Sequence, residues 1–168
     1  MNKSPRSKQL CSLICVIVLA MSPAFAFGAQ GFSFPDGGRF VLPPSVGTEV
    51  LTQCSRPAPT KISKFWQPSV SDVEELERAL PGFLAEREKS GAQVPPKDAA
   101  YHRQYVGFIE NGERFIYANV YPSSVVRGAA PYEAKRPVVV CDGGSAFWGV
   151  VYRMSTRTFG EPHFNGVG

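Results

Sequence analysis

The chain has 168 residues, of which 43% are hydrophobic and 19% are charged, and its formal net charge is +4. Residues 1–26 contain three of the eighteen Lys and Arg residues and none of the fourteen Asp and Glu residues, so without them the net charge is +1. That balance argues against the basic surface of a nucleic-acid-binding protein. The 142 residues that remain suffice for one domain with a substantial hydrophobic core.

The N-terminus has the layout of a secretory signal peptide. Three basic residues precede an apolar run over residues 10–21, and the tripeptide AFA ends at Ala26. The apolar run has about twelve residues, whereas a membrane-spanning helix needs about 20. We therefore predict cleavage after Ala26, a periplasmic or secreted location and no membrane anchor in the mature protein. An uncleaved single-pass anchor is the alternative.

Residues 27–68 are rich in glycine and proline, as in FPDGGRFVLPP and CSRPAPT, which predicts an irregular N-terminal arm. Within the arm, residues 46–53 (VGTEVLTQ) suit one short strand. Cys54 and Cys141 are the two cysteines outside the signal peptide, and an even number in an exported protein favours pairing. We predict a Cys54–Cys141 disulfide that ties the arm to an α+β domain over residues 69–168, with two buried free thiols as the alternative.

One amphipathic helix is predicted after the arm. Ser71 and Glu74 have the spacing of a capping box. Pro81 and Gly82 predict an interruption, with a first segment over residues 72–80 and a kinked or restarted turn to about Glu88. The apolar stripe, which should pack on a sheet, consists of Val73, Leu76, Leu80, Phe83 and Leu84.

A β-hairpin is predicted around Asn111-Gly112, which lies between two runs of aromatic and β-branched residues. The turn pairs Glu110 with Glu113 and sets the register of all the following pairs. The more aliphatic face, which includes Gly107, is assigned to the helix. The other face would carry His102, Gln104, Phe108, Phe115, Tyr117, Asn119 and Tyr121. If this face is exposed it suits protein binding, and the alternative is that the arm covers it.

Residues 138–152 (VVVCDGGSAFWGVVY) predict a second hairpin, with Gly143-Gly144 at its turn and Cys141 facing Cys54. Residues 159–166 would return as an edge strand, where Pro162 is tolerated. The predicted fold is therefore α+β. It has one amphipathic, kinked helix packed on a four- to five-stranded antiparallel meander sheet, tied by the disulfide.

Recognised catalytic and cofactor motifs are absent from the sequence. It has no G-x-S-x-G, H-E-x-x-H, Walker loop or dinucleotide-binding turn. With only His102 and His163 as histidines, a zinc site would need distant carboxylates, so we expect no metal and no cofactor. An acid–base pair of His102 with Glu110 or Glu113 is disfavoured, because the hairpin register places them at opposite ends.

Two segments resemble uncharacterised small exported proteins of Gram-negative bacteria. They are YHRQYVGFIENGERFIYANVYP, from residue 101, and the C-terminal pattern CDGG-x-x-FWGV…FNG, from residue 141. The resemblance implies a shared fold and disulfide, and it implies no activity and no catalytic residue.

These observations favour a non-catalytic periplasmic or secreted binding protein, such as an inhibitor or immunity-type protein that acts on another envelope or secreted protein. Aromatic anchors and a free loop tip suit such contacts, and the alternative is a small envelope hydrolase that uses His102 or Asp142 on cell-wall or peptide substrates. A structural envelope component and a small-ligand binder also stay open. The predicted binding residues are Trp148, Asp142, Tyr117, Tyr121 and His102.

Overall fold

The computed structural model describes residues 29–125 and 130–167, so the predicted signal peptide lies outside the described residues. Eight described strands form one mixed sheet. The strands are β1 (Phe32–Ser33), β2 (Arg39–Val41), β3 (Lys64–Trp66), β4 (Tyr101–Glu110), β5 (Glu113–Pro122), β6 (Trp148–Arg153), β7 (Thr158–Phe159) and β8 (His163–Phe164). The helices are α1 (Gly47–Leu51), α2 (Val70–Lys89) and α3 (Ala130–Glu133), with 3₁₀ turns at Pro44–Val46 and Gly144–Ala146.

The predicted β4–β5 hairpin and its register are confirmed from Glu110–Glu113 to His102–Tyr121. Asn111 and Gly112 both have positive φ angles, 51° and 79°, as a two-residue hairpin turn of the I′ type requires. Strand β6 pairs with β5 on the side away from β4. These three strands are the centre of the sheet, and their register determines which side chains share a face.

Helix α2 covers the face that was assigned to it, and its apolar stripe packs with Tyr105 and Ile116 as predicted. Its N-cap is Ser69, whose hydroxyl accepts from the Asp72 N–H while the Asp72 carboxylate accepts from the Ser69 N–H. The predicted capping box, Ser71 with Glu74, is therefore wrong by two residues. The predicted interruption is also wrong, because Pro81 lies inside one continuous helix. Side chains on both sides of the proline pack on the same core, which offsets the lost hydrogen bond.

The N-terminal arm is more ordered than its composition predicts, because three of its segments join the sheet. Strand β2 pairs parallel to the first part of β4, and β3 pairs antiparallel to the last part. The parallel pair makes the sheet mixed, so a purely antiparallel meander is wrong, and so is the predicted number of four to five strands. The predicted strand over residues 46–53 is also wrong: Pro44 begins a 3₁₀ turn that leads into α1.

The arm also covers the aromatic face of the hairpin. Leu42, Val50 and Leu51 form a second core with Phe108 and Tyr117. The expected exposure of this face is therefore wrong. The alternative, burial under the arm, is correct for its aromatic half, whereas residues 132–142 cover the polar half. Burial removes a large aromatic area from water, which is the main driving force for docking the arm on the sheet.

The predicted hairpin at Gly143-Gly144 is wrong, whereas the disulfide is confirmed. Residues 138–140 form no strand, because the backbone groups of Val138 and Val140 bond side chains instead of a neighbouring strand. The predicted return near the C-terminus is present as β7 and β8, which both pair with β6. Cys54 and Cys141 are bonded, with their Cα atoms 4.6 Å apart. Among the helices of the described residues, none has the length and apolar character needed to cross a membrane.

Candidate functional site

The segment from Tyr132 to Asp142, called the 132–142 loop below, lies against the aromatic face of the hairpin beyond the part that the arm covers. Apart from the end of α3 and an isolated bridge at Asp142, it has no regular secondary structure. Its backbone is held by buried side chains that project from the sheet. This arrangement is the most distinctive feature of the described structure.

Gln104, which is fully buried, makes three hydrogen bonds to the backbone of the loop. Its Nε2 atom donates to the carbonyl oxygens of Glu133 and Arg136, both at 2.7 Å. Its Oε1 atom accepts from the N–H of Val138 at 2.8 Å. One side chain on β4 therefore fixes three points of the loop.

Two asparagines hold the second half of the loop. Asn119 donates to the Val138 carbonyl at 2.8 Å, and Asn165 donates to the Val140 carbonyl at 2.6 Å. The carbonyl oxygens of both asparagine side chains accept from the guanidinium of Arg56, which is buried. Since that end of each amide accepts from a cation, the NH₂ end must face the loop.

Arg56 connects this network to the N-terminal arm. Its Nε atom donates to the Tyr117 hydroxyl at 3.1 Å. Burial raises the pKa of Tyr117, and the nearby guanidinium partly opposes that rise. Two residues earlier, Cys54 forms the disulfide with Cys141, and the hydroxyl of Ser55 donates to the Cys141 carbonyl. The last part of the loop is thus attached to the arm by a covalent bond and by hydrogen bonds.

Glu133 anchors the start of the loop. Its side chain is 2% exposed, and its Oε1 atom lies 2.8 Å from both the Tyr121 hydroxyl and the His102 Nδ1 atom. Burial, and then the hydrogen bond to this carboxylate, raise the pKa of Tyr121 far above its usual range. Both contacts hold the start of the loop, because a buried polar group that loses its hydrogen-bond partner costs free energy.

The outer side of the loop is exposed to solvent. Tyr132 is 48% exposed and Val139 is 39% exposed. Lys135 and Arg136 are also exposed, and the Arg136 guanidinium lies 6.0 Å from the centroid of the Tyr132 ring. The loop therefore combines a backbone that is fixed from inside with apolar and basic side chains that face outward.

The five residues predicted to bind a partner differ in their exposure and in their place in the fold. The expected exposure is wrong for Trp148, Tyr117 and Tyr121, which are at most 2% exposed. Trp148 lies on the helix face of β6, in the main core. His102 is mainly buried beside Glu133, whereas Asp142 is exposed at the end of the loop. The structure brings His102 and Tyr121 together on one carboxylate and leaves Trp148 on the opposite face of the sheet.

Three residues of the site were not predicted from the sequence: Arg56, Glu133 and Asn165. The available signal was the pair of polar residues Gln104 and Asn119, which face each other within strands of aromatic residues. Buried polar side chains require partners, so the burial of this pair would have predicted a polar network.

Within the ranges 29–125 and 130–167, no group of three or more His, Cys, Asp or Glu residues could hold a metal ion. Comparison of the chain with family models, with curated proteins and with solved structures finds no match. The function is therefore inferred from the geometry of the site.

Proposed function

We propose that the protein is a non-catalytic periplasmic or secreted binding protein of the inhibitor type, which presents the 132–142 loop to another exported protein. The supporting observation is that buried amides of Gln104, Asn119 and Asn165 hold the loop backbone while its outer side chains face solvent. The exported location is supported by the signal-peptide pattern and by the disulfide, since disulfides persist in oxidising compartments.

Preorganisation is the physical reason for assigning binding to this loop. Ordering a free backbone costs about 1–2 kcal/mol per residue, and a loop that is already ordered avoids most of that cost on binding. Tyr132 provides a large apolar ring at a low cost in side-chain entropy, as binding anchors often do. Lys135 and Arg136 lie next to each other, so we expect the partner to carry acidic residues around the contact.

Chemical cross-linking with a periplasmic extract tests the proposal. The double variant Tyr132→Ala, Val139→Ser should lose the cross-linked partner, because both exposed apolar side chains of the loop are removed. Val70→Ser is the matched control, since Val70 is 47% exposed but lies at the start of α2. It should capture the same partner as the wild-type protein. Equal capture by all three proteins, or no capture by any, would refute the assignment.

A second candidate, a small envelope hydrolase, is favoured by one observation. The His102 Nδ1 atom lies 2.8 Å from the Glu133 carboxylate, and a carboxylate that orients a histidine is a component of acid–base sites. However, no serine, threonine or cysteine among the described residues hydrogen-bonds to His102. This candidate would be favoured over binding if the purified protein hydrolyses peptidoglycan or casein and the variant His102→Gln does not.

A further inference from the structure

A groove runs along the face of the sheet that packs against α2, opposite the 132–142 loop. It lies between the C-terminal half of α2 and residues 94–99. Its volume is about 380 Å³, within the usual range for small-molecule sites. The strands β4 and β6 provide its floor. Its lining is mainly apolar and includes Leu84, Ala85, Val94, Pro95, Tyr101 and Trp148.

Trp148 lines this groove and has an unusual property. The side chain is buried, yet its indole N–H has no hydrogen-bond acceptor among the described residues. The indole N–H of Trp66, by contrast, donates to the Phe108 carbonyl at 3.1 Å. An unpaired buried donor costs free energy, and in native proteins such a group usually has a partner. A ligand with an oxygen acceptor would provide one.

The charges that line the groove favour an anionic acceptor. Lys97 and Glu88 pair with each other at 2.7 Å and are both exposed, so they nearly cancel. Arg103 lies on the floor and forms an ion pair with Glu77, but its Nε atom is 3.6 Å from the carboxylate, which is too long for a hydrogen bond. The Tyr101 hydroxyl is already used, because it donates to the Pro96 carbonyl at 3.0 Å. The groups without a hydrogen-bond partner are therefore donors, and Arg103 adds a positive charge that no other lining residue of the groove balances.

The sheet register places the two donors on the same face of the sheet. Arg103 pairs with Val120, and Val120 pairs with Trp148, so the two groove residues lie two strands apart on the same face. Their backbones are thus about 10 Å apart, a separation that an arginine and a tryptophan side chain can bridge through a carboxylate.

We propose that the groove binds a small carboxylate with an apolar body. The carboxylate accepts hydrogen bonds from the indole N–H of Trp148 and from the guanidinium of Arg103. The apolar body packs against Leu84, Val94 and Pro95. This site lies on the opposite face of the sheet from the 132–142 loop, so it is independent of the proposed partner binding.

Titration monitored by ¹H–¹⁵N NMR tests this proposal, because the chain has two tryptophans and therefore two indole N–H signals. Trp66→Phe and Trp148→Phe assign the signals. Octanoate or 3-phenylpropanoate should shift the Trp148 signal saturably and leave the Trp66 signal unchanged. Octylamine, which has a similar alkyl chain and the opposite charge, should bind about tenfold or more weakly than octanoate. Failure of both carboxylates to shift the Trp148 signal, or equal binding of octylamine, would overturn the proposal.

Variants locate the site and separate it from the loop. Ala85 is exposed and lines the groove, so Ala85→Trp should fold, fill the groove and weaken octanoate binding about tenfold or more, whereas Ala85→Ser should change it by less than about twofold. Arg103→Gln should weaken octanoate binding and leave that of 1-octanol unchanged. The double variant Tyr132→Ala, Val139→Ser should bind octanoate like the wild type. Unchanged octanoate binding in Ala85→Trp would overturn the assignment of the groove.

Discussion

Replacing Arg56 by methionine tests whether the buried network holds the loop. The guanidinium donates to the Tyr117 hydroxyl and to the side-chain oxygens of Asn119 and Asn165, all of which are buried. Hydrogen bonds to charged groups contribute about 1.5–3 kcal/mol each, and each buried acceptor left without a donor costs about 1–3 kcal/mol. Removal of the buried charge recovers its desolvation cost, so we expect Arg56→Met to lower the free energy of unfolding by about 3–5 kcal/mol.

Urea unfolding with the disulfide intact measures this change as a lower midpoint with an unchanged slope. Lys89→Met is the control, because Lys89 and Glu86 form an exposed ion pair on α2 that should contribute less than about 1 kcal/mol. The rate of trypsin cleavage should also be measured for the wild type and for Arg56→Met. Cleavage should occur after Lys135, since Pro137 follows Arg136 and protects that bond.

The trypsin assay distinguishes loss of the loop conformation from general destabilisation. We expect wild-type protein to resist cleavage at Lys135 under conditions in which Arg56→Met is cut, because the variant loop opens without global unfolding. If Arg56→Met unfolds within about 1 kcal/mol of the wild type, or if both proteins are cut at the same rate, the network does not hold the loop.

Two further predictions concern single residues of the sheet and helix. Burial, and then the hydrogen bond to Glu75, raise the pKa of Tyr152 to about 12. Its contribution to stability is therefore complete below the unfolded-state pKa of about 10 and is lost as the pH rises through the folded value. The difference in absorbance at 295 nm between the wild type and Tyr152→Phe should show this late ionisation of Tyr152. Glu75→Gln should lower the pKa of Tyr152 toward 10. Ionisation of Tyr152 near pH 10 in the wild type would contradict the raised pKa. Gly107→Ala should destabilise by about 1–3 kcal/mol, because its Cβ would lie 2.4 Å from the Trp66 ring, whereas Gly82→Ala, in open space on α2, should stabilise by about 1 kcal/mol. Equal thermal shifts of these two variants would contradict the packing described for Gly107.

Local chemistry explains why some features could be predicted from the sequence. Asn111 and Gly112 adopt the positive φ angles of a two-residue turn, and that turn alone sets the register of the ten following pairs. The apolar stripe of α2 repeats with the helical period, so its buried face is a property of the segment itself. The disulfide followed from cysteine number and compartment rather than from geometry.

Features that depend on distant segments could not be predicted. Gly143-Gly144 has the composition of a hairpin turn, yet the residues before it bond to Gln104, Asn119 and Asn165 rather than to a strand. Pro81 interrupts an isolated helix, but packing on the sheet keeps α2 continuous.

By itself, the sequence determined the central hairpin, the buried stripe of the helix and the cysteine pair, because each depends on residues close in the chain or on simple counting. Only the tertiary structure decided what covers the second face of the hairpin and where the polar side chains find partners. Arg56 reaches Asn119 across 63 residues and Asn165 across 109. Since a buried polar group is stable only with its partner, and since no local pattern encodes a partner so distant, the network and the loop it holds arise when the arm docks on the sheet.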